Sequence, residues 1–323
     1  MIFGHQKNLK ILSRLISNNR LPHAVLFAGP NKIGKRKVAI EISKYLEGNH
    51  KENFFEFSQK DCNCNICQLI ENNALSEITE IGNSEGQISI KEIRSIKEKL
   101  SLSSIYPYKI VIINNIEKLS PGASGALLKV LEEPKGNTIF FLLTSMPGIV
   151  LKTILSRVSI FKFSLLKRNE IRDFLENLNT GNIKGQEEKI LDLSLGRPGT
   201  LKEMVIDKKK ISYYISLLET IENLPKLSIF NKFILAEKIE KENSAADDFL
   251  FLMKFWFRDL LILKENYQSI YFNFKKEKIK NDSEKFSKDE IKNFLGEIQK
   301  TQKYFMFSNT SKLLALENLF LSI

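Results

Sequence analysis

The chain has 323 residues and a formal net charge of +11, from 49 Lys and Arg against 38 Asp and Glu, which excludes an acidic solvating tail. With 43% hydrophobic and 27% charged residues it has enough apolar material for two or three packed domains, of which we expect three, and too much charge for a membrane protein. No uncharged apolar run reaches about 18 residues and the start lacks a signal-peptide pattern, so we expect a cytoplasmic protein.

The first half of the chain alternates apolar runs with amphipathic segments. Continuous apolar runs predict three strands buried on both faces, at 24–28, 109–113 and 138–143. Helical spacing and the stop at Pro134 predict four helices, at 7–18, 35–45, 90–100 and 124–133. Strands that alternate with helices indicate an α/β fold with a parallel sheet.

Beyond about Leu165 the strand signals fade and the chain is predicted to be nearly all α. Helices are predicted at 170–178, 186–195, 213–224, 246–263 and 305–321. The basic stretch 275–303 is interleaved with acidic residues, and we interpret it as a solvated helical face and loop. The net charge alone leaves contact with a polyanion open.

Residues 29–35 match the phosphate-binding pattern G-x-x-x-x-G-K between a predicted strand and a predicted helix. Backbone N–H groups of this loop cradle phosphates while its lysine reaches the β- and γ-phosphates, so Gly29, Gly34 and Lys35 are candidate nucleotide-binding residues. The next position needs Ser or Thr to ligate Mg²⁺, and here it is Arg36. The alternative interpretation is a glycine turn that begins a basic helix.

The strand predicted at 109–113 is followed by amides where a hydrolysing P-loop ATPase needs acids. An Asp there holds Mg²⁺ and a Glu activates water, but this chain has Asn114 and Asn115, which serve neither role well. Together with Arg36, they predict a degenerate site that does not hydrolyse ATP. Binding of ATP or ADP without turnover stays open.

Several motifs follow one another in the order found in bacterial clamp-loader subunits of the AAA+ family, and the chain resembles that family over its first 205 residues. The motifs are Gly4-His5-Gln6, His23-Ala24, the glycine loop, the cysteine cluster 62–67, ALLKVLEEP at 126–134 and TILSR at 153–157. Residues 255–261 also resemble a helix of the family's C-terminal collar.

The resemblance implies three domains. These are an AAA+ P-loop domain over 1–164 with a cysteine-containing insertion near 50–80, a small helical lid over 165–207, and an α-helical collar or oligomerisation domain over 208–323.

In the clamp-loader family a Ser-Arg-Cys motif projects an arginine into the ATP site of the neighbouring subunit, and here it reads Ser156-Arg157-Val158. The resemblance therefore implies that Arg157, with Ser156, acts in trans as an arginine finger, which stabilises charge on the transferred phosphoryl group. The alternative is an ordinary surface arginine. The implied role is a non-hydrolysing stator in a hetero-oligomer of the DNA polymerase III holoenzyme, with gamma/tau and delta subunits, the sliding clamp and primed DNA as partners.

Two further segments of the chain correspond to nucleotide-sensing positions of the family that it resembles. Active relatives carry a nucleotide-sensing arginine in the lid, where this chain has Gly199, with Arg197 two residues early. Thr144 and Ser145 lie where the family's polar sensor follows the third strand, although hydroxyl groups at a strand end are commonly structural.

The cysteines Cys62, Cys64 and Cys67 are too close together for a disulfide framework and have the short spacing of metal ligands. The family binds zinc through four cysteines, but here the spacing is one residue short and the upstream cysteine is absent. A closed tetrahedral zinc site needs four ligands, so His50 or Asp61 would have to complete it. The alternative is a loop with reduced thiols.

Three other functions stay open at this point. The first is an ATP-hydrolysing motor subunit of the gamma/tau type, which Arg36, Asn114 and Asn115 oppose. The second is an independent P-loop ATPase with unusual metal ligation. The third is a DNA-binding module that uses the positive charge, although no helix-turn-helix, zinc-finger or aromatic single-strand-binding signature is present.

Overall fold

The computed structural model describes residues 1–323 except 49, 84–85, 179–182, 184, 242, 268 and 306–310. The chain divides into two compact units, Met1–Asn177 with Gly196–Gly199, and Leu178–Leu195 with Thr200–Ile323. Among the described helices, none has the length and apolar character needed to cross a membrane.

The first unit is built on a five-stranded parallel sheet with the order β2-β3-β4-β1-β5. The strands are β1 (Ala24–Ala28), β2 (Ile78–Ile81), β3 (Lys109–Ile113), β4 (Thr138–Thr144) and β5 (Ser159–Lys162). The three predicted strands are confirmed, with β4 one residue longer than expected. The four-residue edge strands β2 and β5 were not predicted, because their partly exposed residues lack the continuous apolar run of the central strands.

Helices cover both faces of the sheet. They are α1 (Gln6–Ser17), α2 (Lys35–Glu47), α3 (Phe54–Ser58), α4 (Asn65–Glu71), α5 (Ile90–Ser101), α6 (Pro121–Glu132), α7 (Lys152–Leu155) and α8 (Arg168–Glu176). Successive residues of β1 enter different cores, Val25 and Phe27 on one face and Leu26 on the other. Helix α6 begins three residues earlier than predicted, because the Ser120 hydroxyl accepts the Ala123 N–H and Pro121 occupies the first helical position.

The regular elements in the described part of the second unit are helices. Its helices are α9 (Glu187–Ser194), α10 (Pro198–Ile206, whose first two residues belong to the first unit), α11 (Lys208–Asn223), α12 (Ile229–Lys241), α13 (Asn243–Lys264), α14 (Lys276–Ser283), α15 (Lys288–Tyr304) and α16 (Lys312–Leu321). Helix α13 packs against α11, α12, α14 and α15.

Two expectations for the second unit need correction. The basic stretch 275–303 is more than a solvated face and loop, because α14 and α15 bury Ile279, Ile291 and Ile298 completely. The helix predicted over 305–321 is present as α16 from Lys312, while residues 306–310 lie outside the described part of the chain. Helix α12 was not predicted at all.

Candidate functional site

The glycine loop lies between β1 and α2, at the carboxyl ends of the parallel strands. Gly34 has a φ of +106°, a backbone conformation that side chains disfavour. The Gly29 N–H donates to the Thr144 carbonyl at 3.1 Å, which fixes the loop beside the end of β4. The glycine loop therefore lies beside the carboxyl ends of β3 and β4, where parallel sheets usually bind their ligands.

Lys35 is folded onto the carbonyl groups of its own loop. Its Nζ donates to the oxygens of Gly29 at 2.5 Å and Pro30 at 2.7 Å, and the residue is only 8% exposed. Burial lowers the pKa of Lys35 to about 8, and the nearby carboxylate of Glu117 offsets part of that effect. A phosphate in the loop would have to draw this ammonium away from two neutral acceptors.

Arg36 makes a bidentate ion pair with Glu80, a residue of strand β2, which was not predicted. The Arg36 Nε and one terminal nitrogen each donate to a separate Glu80 oxygen, both at 2.6 Å. Asn114, 8% exposed, donates through Nδ2 to the same carboxylate at 2.6 Å. Burial opposes ionisation of Glu80, but the hydrogen bonds from Arg36 and Asn114 outweigh it and lower the pKa of Glu80.

The Arg36–Glu80–Asn114 network joins two of the positions that were compared with the metal ligands of P-loop ATPases. In such enzymes the residue after the lysine and the carboxylate after a neighbouring strand ligate Mg²⁺. Here those positions supply a guanidinium and an amide nitrogen, both turned toward one carboxylate. Sequence reasoning missed Glu80 because it missed β2, although the β-branched run Ile-Thr-Glu-Ile at 78–81 was a usable signal.

Asn115 lies beside this network without joining it. Its backbone has a φ of +50°, and its Nδ2 donates to the Gly82 carbonyl at 3.1 Å. Asn115 therefore links the ends of β3 and β2.

The two candidate sensor hydroxyls both make contacts within the protein. Thr144 Oγ1 accepts the Met146 N–H at 3.0 Å, while the Ser145 N–H and Oγ donate to Glu117 at 3.0 and 2.7 Å. Glu117, which sequence reasoning did not single out, thus ties the end of β4 to the segment after β3.

Gly199 approaches the glycine loop closely. Its N–H donates to the Lys32 carbonyl at 2.9 Å. A Cβ atom at position 199 would lie 2.9 Å from that same oxygen, so an arginine there would force the loop to shift. Arg197, two residues earlier, is buried at 2% exposure.

Arg157 follows α7 and lies partly exposed on the surface of the first unit. Its Nε donates to Glu132 Oε1 at 2.8 Å, and a terminal nitrogen lies 2.5 Å from that oxygen. The other terminal nitrogen donates to the Thr153 carbonyl at 3.0 Å and to Ser156 Oγ at 3.1 Å. The guanidinium is therefore oriented by three acceptors, of which Glu132 was not identified from the sequence.

The three cysteines and His50 form one cluster in the insertion that carries α3 and α4. The ligand atoms of His50, Cys62, Cys64 and Cys67 all lie within 4.8 Å of one another, and His50 Nε2 is 3.6 Å from Cys67 Sγ. Tetrahedral Zn²⁺ with these ligands needs separations of about 3.5–3.8 Å, so small movements would close the set. The set of three cysteines that looked incomplete in the sequence therefore has a fourth candidate ligand in the fold.

Asp61, the other candidate for the fourth ligand, is used differently. Its carboxylate pairs with the amino group of Met1. The His50 ring packs against Phe57 in a tilted arrangement, with 4.2 Å between ring centroids, and lies nearly parallel to the Tyr45 ring at 6.2 Å. These rings orient the imidazole toward the cysteines.

The parallel sheet, the glycine loop after β1 and the helical second unit define an AAA+ type P-loop protein. A family model described as "DNA polymerase III, delta subunit" matches residues 4–167, about half of the chain. The chain belongs to this family of DNA polymerase III clamp-loader subunits.

Relatives carry the names of several subunits. The chain is 33% identical to "DNA polymerase III subunit tau" of Bacillus subtilis over 172 residues, 53% of this chain and 30% of that protein. It is 30% identical to "DNA polymerase III subunit gamma" of Buchnera aphidicola (from Schizaphis graminum) over 205 residues, 62% of this chain and 55% of that protein.

The third relative is "DNA polymerase III subunit delta'" of Bacillus subtilis, 30% identical over 171 residues, 52% of this chain and 50% of that protein. The matches thus span 30% to 55% of the length of these three relatives.

Proposed function

We propose that the chain is a clamp-loader stator subunit of the delta prime type. In this role it supplies Arg157 to the ATP site of a neighbouring gamma/tau subunit, and it assembles with the delta subunit to load the sliding clamp onto primed DNA. The order of its sequence motifs resembles delta prime most, and the observation that carries the proposal is the Arg36–Glu80–Asn114 network.

The network argues against hydrolysis by this chain because it leaves no place for the metal. Mg²⁺ requires oxygen ligands in octahedral geometry, usually one or two carboxylates with phosphates and water. Glu80 is already neutralised by Arg36 at 2.6 Å, and a divalent cation entering there would be repelled by the guanidinium. Asn115 cannot accept a proton from water, and its amide is engaged with Gly82.

Loss of hydrolysis does not remove a role in catalysis. An arginine finger acts on the phosphoryl group of another subunit, and its contribution does not depend on the nucleotide site of its own chain. The exposed position of Arg157 on the first unit supports this division of labour.

A second candidate is an ATP-hydrolysing motor subunit of the gamma/tau type. The observation in its favour is the identity to tau, 33%, which is slightly above the identity to delta', 30%. This candidate would require Mg²⁺ to displace Arg36 from Glu80.

The two candidates are separated by measuring DNA-stimulated ATP turnover of the purified chain, with Lys35→Ala as the control for contaminating ATPases. The stator proposal expects no turnover above that control. Turnover that Lys35→Ala abolishes would establish a motor subunit and refute the stator proposal.

The finger is tested in the complex reconstituted with its partner subunits. Arg157→Ala should leave assembly intact and lower ATP turnover severalfold or more, since an arginine finger contributes strongly to charge stabilisation. Equal turnover by the variant and unmodified complexes would refute the role of Arg157.

We also propose that His50, Cys62, Cys64 and Cys67 hold a structural Zn²⁺. Four nitrogen and sulfur ligands form a closed site without an open position for substrate, which is typical of structural zinc. Such an ion would tie the segment after α2 to α4.

A further inference from the structure

Glu132 is the last residue of α6 and holds Arg157, yet the proposed function gives it no task. Both groups are partly exposed, with 48% of the Glu132 side chain and 38% of the Arg157 side chain accessible. An ion pair this exposed contributes little to folding stability. The measurable effect of the ion pair should therefore be on the orientation of the Arg157 guanidinium.

The contacts of Arg157 fix the plane of its guanidinium. Glu132 Oε1 accepts the Nε–H and lies 2.5 Å from the adjacent terminal nitrogen, while the Thr153 carbonyl and Ser156 Oγ accept from the opposite terminal nitrogen. A guanidinium held on two sides in this way keeps a defined orientation.

The surroundings of Glu132 are rich in charged side chains. Glu132 lines a cavity of about 470 Å³ together with three lysines and one further acid, namely Lys97, Lys129, Lys135 and Glu133. Glu133 therefore offers a second carboxylate in the same cavity, which can serve as a control for Glu132.

We propose that Glu132 is a positioning residue for Arg157, which orders the arginine before the neighbouring subunit binds. This inference rests on the proposed function of Arg157 as a finger. A free arginine side chain loses rotamer entropy when it is fixed, and a pre-ordered one loses less when the transition state forms. Such pre-ordering raises the rate of the chemical step more than it strengthens substrate binding.

The test is ATP turnover of the complex reconstituted with its partner subunits. Glu132→Ala should lower kcat by about 3- to 10-fold and change KM by less than about twofold. Glu133→Ala is the matched control, since it removes an adjacent carboxylate from the same cavity, and it should leave kcat unchanged. Glu132→Asp should recover part of the rate, and the loss caused by Glu132→Ala should shrink at high salt, where the ion pair is screened.

The double variant Glu132→Ala/Arg157→Ala separates positioning from an independent effect. If Glu132 acts through Arg157, the double variant turns over no more slowly than Arg157→Ala alone. Losses that multiply in the double variant would overturn the inference, and so would equal rates for Glu132→Ala and Glu133→Ala.

Failure of this inference is distinguishable from failure of the proposed function. Arg157→Ala without effect refutes the finger itself, whereas a slow Arg157→Ala with a normal Glu132→Ala overturns only the role of Glu132. Glu132→Gln keeps the shape of the side chain and removes its charge, so it provides the same comparison should Glu132→Ala fold poorly. Glu132→Gln should lower kcat, and its thermal unfolding midpoint should equal that of Glu133→Ala.

Discussion

The Arg36–Glu80–Asn114 network gives a prediction for stability that can be made quantitative. Arg36→Ala removes two hydrogen bonds of 2.6 Å from a carboxylate whose side chain is only 10% exposed. A hydrogen bond to a charged group contributes about 1.5–3 kcal/mol net. Since the Arg36 side chain is 50% exposed and Asn114 still donates to Glu80, we expect a total loss of about 1.5–3 kcal/mol rather than twice that amount.

The reverse truncation should cost less. After Glu80→Ala the half-exposed Arg36 regains water, and Asn114 Nδ2 keeps its contacts with the Ile81 carbonyl at 3.3 Å and Asn83 Oδ1 at 2.8 Å. We expect a loss of about 0.5–1.5 kcal/mol. The double variant should lose less stability than the sum of the two single losses, because each single variant leaves the other residue of the ion pair without its partner.

The assay is urea unfolding at pH 7, with Arg94→Ala as the control, since Arg94 is an exposed arginine within helix α5. The pKa of Glu80 is lowered in the folded chain, so its contribution is present at pH 7 and disappears as the pH falls below its ordinary value of 4.5. The cost of Arg36→Ala should shrink over the same pH range. An Arg36→Ala loss no larger than that of Arg94→Ala, or strictly additive losses, would refute the reasoning.

Two further predictions concern the metal cluster and helix α2. The purified chain should contain one Zn²⁺, measured by plasma emission; His50→Ala should lower that content while Asp61→Ala leaves it unchanged, and the opposite pattern would identify Asp61 as the ligand. Burial raises the pKa of Glu47 from 4.5 to about 7, so stability falls as the pH rises between those values. Glu47→Gln should therefore add up to about 3 kcal/mol at pH 8 and nothing at pH 4 in denaturant unfolding, and equal effects at both pH values would contradict this.

Much of the fold could be predicted because its signals are local. The apolar runs of β1, β3 and β4 and the helical spacing of α1 and α5 arise within single segments, and burial on both faces leaves a continuous apolar run. The edge strand β2 escaped prediction because one of its two sides has no neighbouring strand and its residues are only partly buried. Because β2 was not predicted, Glu80 was not identified as a site residue.

The candidate site divides in the same way. The sequence by itself determined the glycine loop, Arg36, Asn114 and the arginine at 157, since these follow from residue type and spacing along the chain. Only the tertiary structure decided what these groups touch. Glu80 lies 44 residues from Arg36, Glu132 lies 25 from Arg157 and His50 lies 17 from Cys67, so each pairing depends on how the sheet and helices bring distant segments together. Hydrogen bonds act over about 3 Å of space, and no period or spacing in the sequence records such a distance.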